Sequence, residues 1–144
     1  MRRFAISLAL SACCGLAFAQ ATPVGLWKTI DDETGQAKSF VRITESGGVL
    51  TGKIEKLLDP SKQDARCDKC TDARKDQPVV GMTIFSGPKQ TEEDKTIWEG
   101  GEILDPNNGK TYRMRLRLLD GGKALEMRGY IAFFYRNQKW LRLE

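Results

Sequence analysis

Histidine is absent from the 144 residues, and cysteine occurs only four times. Without histidine the chain lacks both the commonest general base and the commonest metal ligand. No nucleophile elbow, phosphate-cradling glycine loop or metal-binding helix motif occurs either. The formal charge of +4 is small, and two of its cations, Arg2 and Arg3, stand at the extreme N-terminus. Nucleic-acid binding wants a concentrated basic surface, so nucleic acid is not an expected partner. Long apolar runs are missing as well. The longest runs from Phe4 to Phe18, short of the roughly 20 residues that a stable membrane helix needs.

That run does have a recognisable layout. Met1-Arg2-Arg3 is a positive start, an Ala- and Leu-rich stretch follows, and the exit is Ala17-Phe18-Ala19 or Ala19-Gln20-Ala21. These are the three parts of a cleavable secretory signal. Residues 1–21 are therefore expected to be a signal peptide and residues 22–144 a single domain, periplasmic or secreted, with no transmembrane segment of its own. Leu10-Ser11-Ala12-Cys13 has the form of a lipobox, which makes lipid anchoring through Cys13 the rival outcome. Only twelve residues precede that cysteine, and the apolar run continues past it.

The remaining sequence reads as short strands separated by turn chemistry. Strands are expected at Val24–Ile30, Ser39–Thr44, Val49–Leu57, Val79–Phe85, Thr96–Leu104, Lys110–Leu118, Ala124–Ile131 and Phe134–Leu143. Asp31-Asp32-Glu33-Thr34-Gly35, Ser46-Gly47-Gly48, Asp105-Pro106-Asn107-Asn108-Gly109 and Asp120-Gly121-Gly122 are the turn signals between them. Helical possibilities are confined to the neighbourhoods of Asp64–Lys75 and Pro88–Asp94. About eight strands with hairpin-length turns predict an all-β antiparallel meander. An up-and-down barrel ends such a meander without exposed edges, and a two-sheet sandwich is its structural rival.

The sixth and seventh strands alternate most clearly. Tyr112, Met114, Leu116 and Leu118 interleave with Arg113, Arg115 and Arg117, and Leu125, Met127 and Gly129 interleave with Glu126 and Arg128. Matching the apolar faces pairs Leu118 with Leu125 and Met114 with Gly129. The same register sets Arg117 opposite Glu126 and Arg115 opposite Arg128. A solvated outer face accounts for these arginines. The alternative is that some of them point into a cavity and meet an anionic ligand head.

Cys67 and Cys70 are the two cysteines beyond the leader, and in an oxidising compartment they are a candidate disulfide. They lie in the longest polar stretch, Asp59–Pro78, with no adjacent strand or βαβ framework for redox chemistry. A structural zinc site needs four ligands, and no second cysteine pair is present. The disulfide clamp is the expectation, thiol or metal chemistry the alternative. Asp31, Asp32 and Glu33 sit in a hairpin turn, which does not separate carboxyl pKa values as acid–base catalysis requires. Asp105–Gly109 fails the spacing of a calcium loop. The aromatics Trp27, Phe40, Trp98, Tyr112, Tyr130 and Trp140 are read first as core.

Gly25-Leu26-Trp27 near the start and Trp140-Leu141-Arg142 near the end resemble the closure of lipocalin-like barrels, in which the arginine covers the tryptophan. Further segments follow in one order: Trp27–Gly35, Leu50-Thr51-Gly52-Lys53-Ile54, Cys67-Asp68-Lys69-Cys70, Trp98–Pro106, Gly109-Lys110-Thr111-Tyr112 and Arg128-Gly129-Tyr130. Together, from Val24 to Arg142, they resemble the exported bacterial family catalogued as domain of unknown function 2147. The resemblance implies a lipocalin-like (calycin-type) barrel, with Trp27 and Arg142 at the closure, and implies no established activity. Ile131–Arg136 departs from the family pattern by being shorter and lacking glycines.

The expected function is non-enzymatic binding of a small apolar or amphipathic ligand, without catalytic residues, metal or cofactor. The mouth is placed near the Cys67–Cys70 loop, with Trp27, Trp98 and Tyr112 as wall residues and Arg113 or Arg115 for an anionic head. Two rival readings remain open: an envelope protein-interaction module with a packed barrel, its partner unidentified, and thiol or metal chemistry at Cys67/Cys70.

Overall fold

The computed structural model describes residues 21–144. Residues 1–20 of the expected leader, with the Cys13 lipidation site, lie outside the described residues. Eight strands follow: β1 (Gly25–Ile30), β2 (Ala37–Ser46), β3 (Val49–Leu57), β4 (Thr83–Gln90), β5 (Ile97–Asp105), β6 (Lys110–Leu119), β7 (Ala124–Ile131) and β8 (Phe134–Arg142). Each pairs antiparallel with the next, and β8 returns to β1, so the sheet closes as a barrel rather than splitting into a sandwich. Among the described residues no helix is long and apolar enough to cross a membrane.

The alternation of each strand decides its inner face, because successive side chains point to opposite sides of a sheet. Val41 and Ile43 on β2, Met114, Leu116 and Leu118 on β6, and Leu125 and Met127 on β7 are buried together. The β6–β7 register pairs Leu118 with Leu125, Met114 with Gly129, Arg117 with Glu126 and Arg115 with Arg128. It follows directly from matching these two apolar stripes. Phe40 and Tyr130 fall on the other parity and lie on the outer face, half-buried rather than in the core. Lys56 stands 5.6 Å from the centroid of the Phe40 ring, and Tyr130 packs edge-on against Tyr135.

The fourth strand corrects the sequence reading. The apolar run from Val79 has the composition of a strand, yet β4 starts at Thr83 and continues through Pro88 to Gln90. Val79 is buried as part of the β3–β4 connection instead. Pro88 is tolerated because the β4–β5 ladder is interrupted there, passing from Ser86–Glu102 to Lys89–Glu99. A residue without an N–H is accommodated at such an irregularity. Neither helical possibility forms. Residues 64–75 form turns and one isolated β-bridge, Arg66 to Pro78, and the short 3-10 turns lie at Pro60–Lys62 and Asp120–Gly122.

Candidate functional site

The two ends of the barrel differ in kind. At one end Trp27 is fully buried and its Nε1 donates to the Pro23 carbonyl at 2.8 Å. The Arg142 guanidinium stacks 4.3 Å from the Trp27 ring. It also donates to the carbonyls of Gly122 (2.6 Å), Val24 (2.9 Å) and Thr22. Burial lowers the pKa of this guanidinium, but no acid partner is needed, since backbone oxygens satisfy its fork. Strand β1 and the tail of β8 are thus riveted together, and this end is closed. Trp98, paired across the sheet with Leu116, packs into the same core.

The other end is open. A cavity of about 730 Å³ lies inside it. Its inner wall is apolar, with Val41, Ile54, Ile84, Ile103, Met127 and Trp140 among its residues. Three polar side chains interrupt that wall. Thr29 and Ser39 share a hydroxyl–hydroxyl hydrogen bond of 2.7 Å. Gln138 accepts from Trp140 Nε1 at 3.1 Å, which leaves its amide N–H groups free to face the cavity. Tyr112 lines the cavity higher up, where Asn108 Nδ2 donates to its hydroxyl at 2.9 Å.

Space exists here because small residues occupy inward positions. Gly129 is inward on β7, and a Cβ there would reach nothing nearer than Tyr112 Cβ at 3.7 Å. The rim is charged with both signs: Lys38, Lys62, Lys69 and Arg136 stand beside Asp32, Asp59, Asp68 and Asp105.

The long β3–β4 connection forms one side of this rim. Asp59 caps its 3-10 turn, accepting from Ser61 N at 2.9 Å. Cys67 and Cys70 form a disulfide, and both are buried in the core cluster rather than displayed on a polar excursion. With Ala65, Val79 and Met82 they make the connection an apolar-sided flap seated on the barrel. Its backbone is held by Cys67 N donating to Gln77 O (2.9 Å), Asp76 N to Cys67 O (2.8 Å) and Val79 N to Ala65 O (2.9 Å). Gly109, in the β5–β6 turn, is pressed against the Lys69–Cys70 peptide.

Arg74 ties the flap to the barrel. Its Nη1 donates to the Thr83 carbonyl at 3.1 Å, while Asp72 receives its Nη2 at 2.6 Å. The Arg74 side-chain bonds, joined by the Arg74 backbone N–H, bring the Asp72 carboxyl down to about 2. A carboxyl with a depressed folded pKa contributes order above its unfolded value near 3.8, and loses it as pH falls toward 2. An NMR titration of Asp72 should therefore give a midpoint near 2, and Arg74→Ala should return it to the ordinary aspartate range. A wild-type midpoint near 4 would mean that the Asp72–Arg74 contact does not persist in solution.

The turn carboxylates also have structural duties. Asp31 accepts from the backbone N–H groups of Thr34 (2.8 Å) and Glu33 (2.9 Å), which lower its pKa. Asp32 and Glu33 receive Arg136 at 2.7 and 3.2 Å, a link from the β1–β2 turn to the neighbouring strand β8 at the mouth. Among the described residues no group of three or more acidic or cysteine side chains is placed to hold a metal ion.

The expected ligand residues are thus divided. Tyr112 lines the cavity, whereas Trp27 and Trp98 lie outside its wall. Arg113 and Arg115 are a correction: both project from the outer face, because Met114 between Leu116 and Tyr112 takes the inner parity. Arg115 and Arg128 instead flank Glu126 on that face, each at 3.7 Å. Residues missed by sequence reasoning include Thr29, Ser39 and Gln138. Only their inward parity among apolar neighbours could have pointed to them.

Residues 25–142 match the model of a family described as an uncharacterized protein conserved in bacteria, DUF2147. No curated protein matches the chain. Among solved structures, a protein from the human pathogen Helicobacter pylori, described as belonging to the lipocalin family, is similar to it. The match has a TM-score of 0.73 and 20% identity, and covers 86% of this chain and 84% of that one. At that identity the likeness speaks for the fold, a lipocalin-like barrel.

Proposed function

We propose, from the premise that the chain belongs to the DUF2147 family, that this barrel is exported and binds one small amphipathic molecule without transforming it. The observation that carries the reading is the cavity of about 730 Å³ at the open end. Ligand pockets commonly span about 300–1,000 Å³, with mostly apolar walls and a few placed polar groups. An eight-stranded barrel has room for one such guest. The apolar tail lies against Val41, Ile84, Met127 and Trp140, with a hydrogen-bonding group near Gln138 or the Thr29–Ser39 pair. The polar head stays at the rim, where charges of both signs surround it. A protein-docking module with a packed barrel does not call for this space. The buried disulfide supports a clamp on the flap rather than exposed thiol chemistry.

Gly129 provides the test. Gly129→Leu should place a side chain in the cavity, its Cβ meeting only Tyr112 Cβ at 3.7 Å, and keep the strand, since glycine inside a strand is a weak former. Wild-type protein should bind a fluorescent fatty-acyl probe with a change in tryptophan emission. The leucine variant should bind it at least about tenfold more weakly, the loss expected when well-matched apolar burial is blocked. Native mass spectrometry of protein purified from its host envelope should show a small-molecule adduct that the variant lacks. Equal probe binding by both proteins, or an empty wild-type barrel, would sink the proposal.

A further inference from the structure

The hairpin joining β7 and β8 carries its largest apolar side chains into solvent. Phe133 is 100% exposed, Phe134 75%, Tyr135 55% and Ile131 41%. The turn itself holds Ala132 at φ 51°, in a region glycine usually occupies. Scattered exposed hydrophobics need no explanation, but a contiguous set at one tip marks an interaction site.

The order of side chains along the hairpin identifies the partner. Phe133 is at the apex, and the Ile131–Phe134 pair follows. Next is Tyr130 opposite Tyr135, ring centroids 6.4 Å apart. Then come cations on the same outer face. Arg128 lies 3.9 Å from the Tyr135 ring, and Arg113, one strand over, 5.4 Å from the Tyr130 ring. Apolar apex, amphipathic phenols, then guanidinium groups is the sequence of environments met on leaving a bilayer's acyl region through its interface.

The acids nearby stand against cations, and Arg128 is itself occupied, its Nε donating to Asn137 Oδ1 at 2.9 Å. Glu126 is shared between Arg115 and Arg128, Glu102 faces Arg113 in register, and Asp32 and Glu33 hold Arg136. The tip is also a convex projection. A bilayer accepts such a shape without a preformed groove.

We propose that the β7–β8 tip docks the protein on a phospholipid surface, Phe133 and Phe134 entering the interface and the exposed Arg113 meeting an anionic head group. Ile131 and Arg136 belong to the cavity rim, so a protein seated on this tip turns its mouth toward the lipid. Docking does not depend on the cavity being filled.

The test is co-sedimentation of full-length mature protein with vesicles of equal parts phosphatidylglycerol and phosphatidylethanolamine. Wild type should partition onto them, and less onto phosphatidylcholine alone. Phe133→Ser with Phe134→Ser should lower the partition coefficient at least about tenfold, given the apolar surface removed. Both side chains are exposed, so the thermal midpoint should not move. Phe133→Trp is a second reporter that retains the apolar apex. Its emission should shift to the blue on vesicle addition and be quenched by brominated lipid. Unchanged partition of the serine variant, or no spectral shift in the tryptophan variant, would overturn the proposal. So would tip-dependent self-association in sedimentation velocity with no vesicle binding, which would assign the tip to a protein contact.

Discussion

Replacing Trp27 with alanine should remove about 3–5 kcal/mol of folding stability, the usual cost of truncating a buried large aromatic. Against a total of roughly 5–15 kcal/mol for a domain, that is a large fraction. The midpoint of thermal unfolding should drop on the order of 10–20 °C. The loss has two sources. One is the cavity left where a fully buried indole sat. The other is Arg142, whose guanidinium would keep its backbone bonds but lose the ring beneath it. Arg142→Lys should reproduce much of the defect, because an ammonium cannot reach the carbonyls of Thr22, Val24 and Gly122 with one planar fork. The double variant Trp27→Ala/Arg142→Ala should be less unstable than the sum of its parts, by about 0.5–3 kcal/mol. Strict additivity would show that the stacked pair contributes no coupling. A loss below about 1 kcal/mol for Trp27→Ala would refute its role in closing the barrel.

The second large effect is expected at Gly109. Its φ is +72°, and a Cβ there would collide with the carbonyl of Lys69 and approach Cys70 N to 2.8 Å. Neither atom can yield without moving the flap, because the disulfide anchors Cys70 to Cys67 in the core. Gly35 has the same φ of +72° and nothing within 4 Å of its Cβ, which makes it a matched control. Gly35→Ala should cost about 1–2 kcal/mol, the price of left-handed backbone alone. Gly109→Ala should cost more. It alone should accelerate hydrogen exchange at the amides of Cys67 and Asp76, whose bonds hold the flap together. If the two alanine variants exchange and unfold alike, the close approach at Gly109 is not a constraint on the flap.

Much of the barrel was legible because its rules are local. The β6–β7 register follows from Met114, Leu116 and Leu118 facing Gly129, Met127 and Leu125, a match that a slip of one residue would destroy. The same alternation already excluded Arg113 and Arg115 from the interior, so an inward arginine was incompatible with the register it came with. The fourth strand was less legible. Val79 and Val80 have strand composition, and only tertiary context turns Val79 into part of the flap.

The cavity was legible only in its mouth near the Cys67–Cys70 loop and in Tyr112, and its size and most of its wall were not. Its volume is a difference between the barrel's girth and the side chains from several strands, and no window of sequence contains that sum. Thr29, Ser39, Gly129 and Gln138 are distant in sequence, and their common inward direction emerges only once the sheet has closed. The flap's apolar underside was hidden for a related reason. Cys67, Cys70 and Ala65 are separated by charged residues, so hydropathy averages them into a polar loop.

The seam between β1 and β8 is in register only at Trp27–Arg142 and Lys28–Leu141. By contrast β7 and β8 stay paired from Ala124–Leu141 to Ile131–Phe134. Every other strand pair joins neighbours along the chain, while this one must bring the two extremes of the domain together. It pays the greatest loop-closure entropy and so should form last in folding and part first under stress. A parted seam would expose two strand edges, each able to template pairing with another molecule. Arg142, held by four backbone carbonyls and an indole, thus guards against edge-to-edge aggregation during the barrel's transient openings.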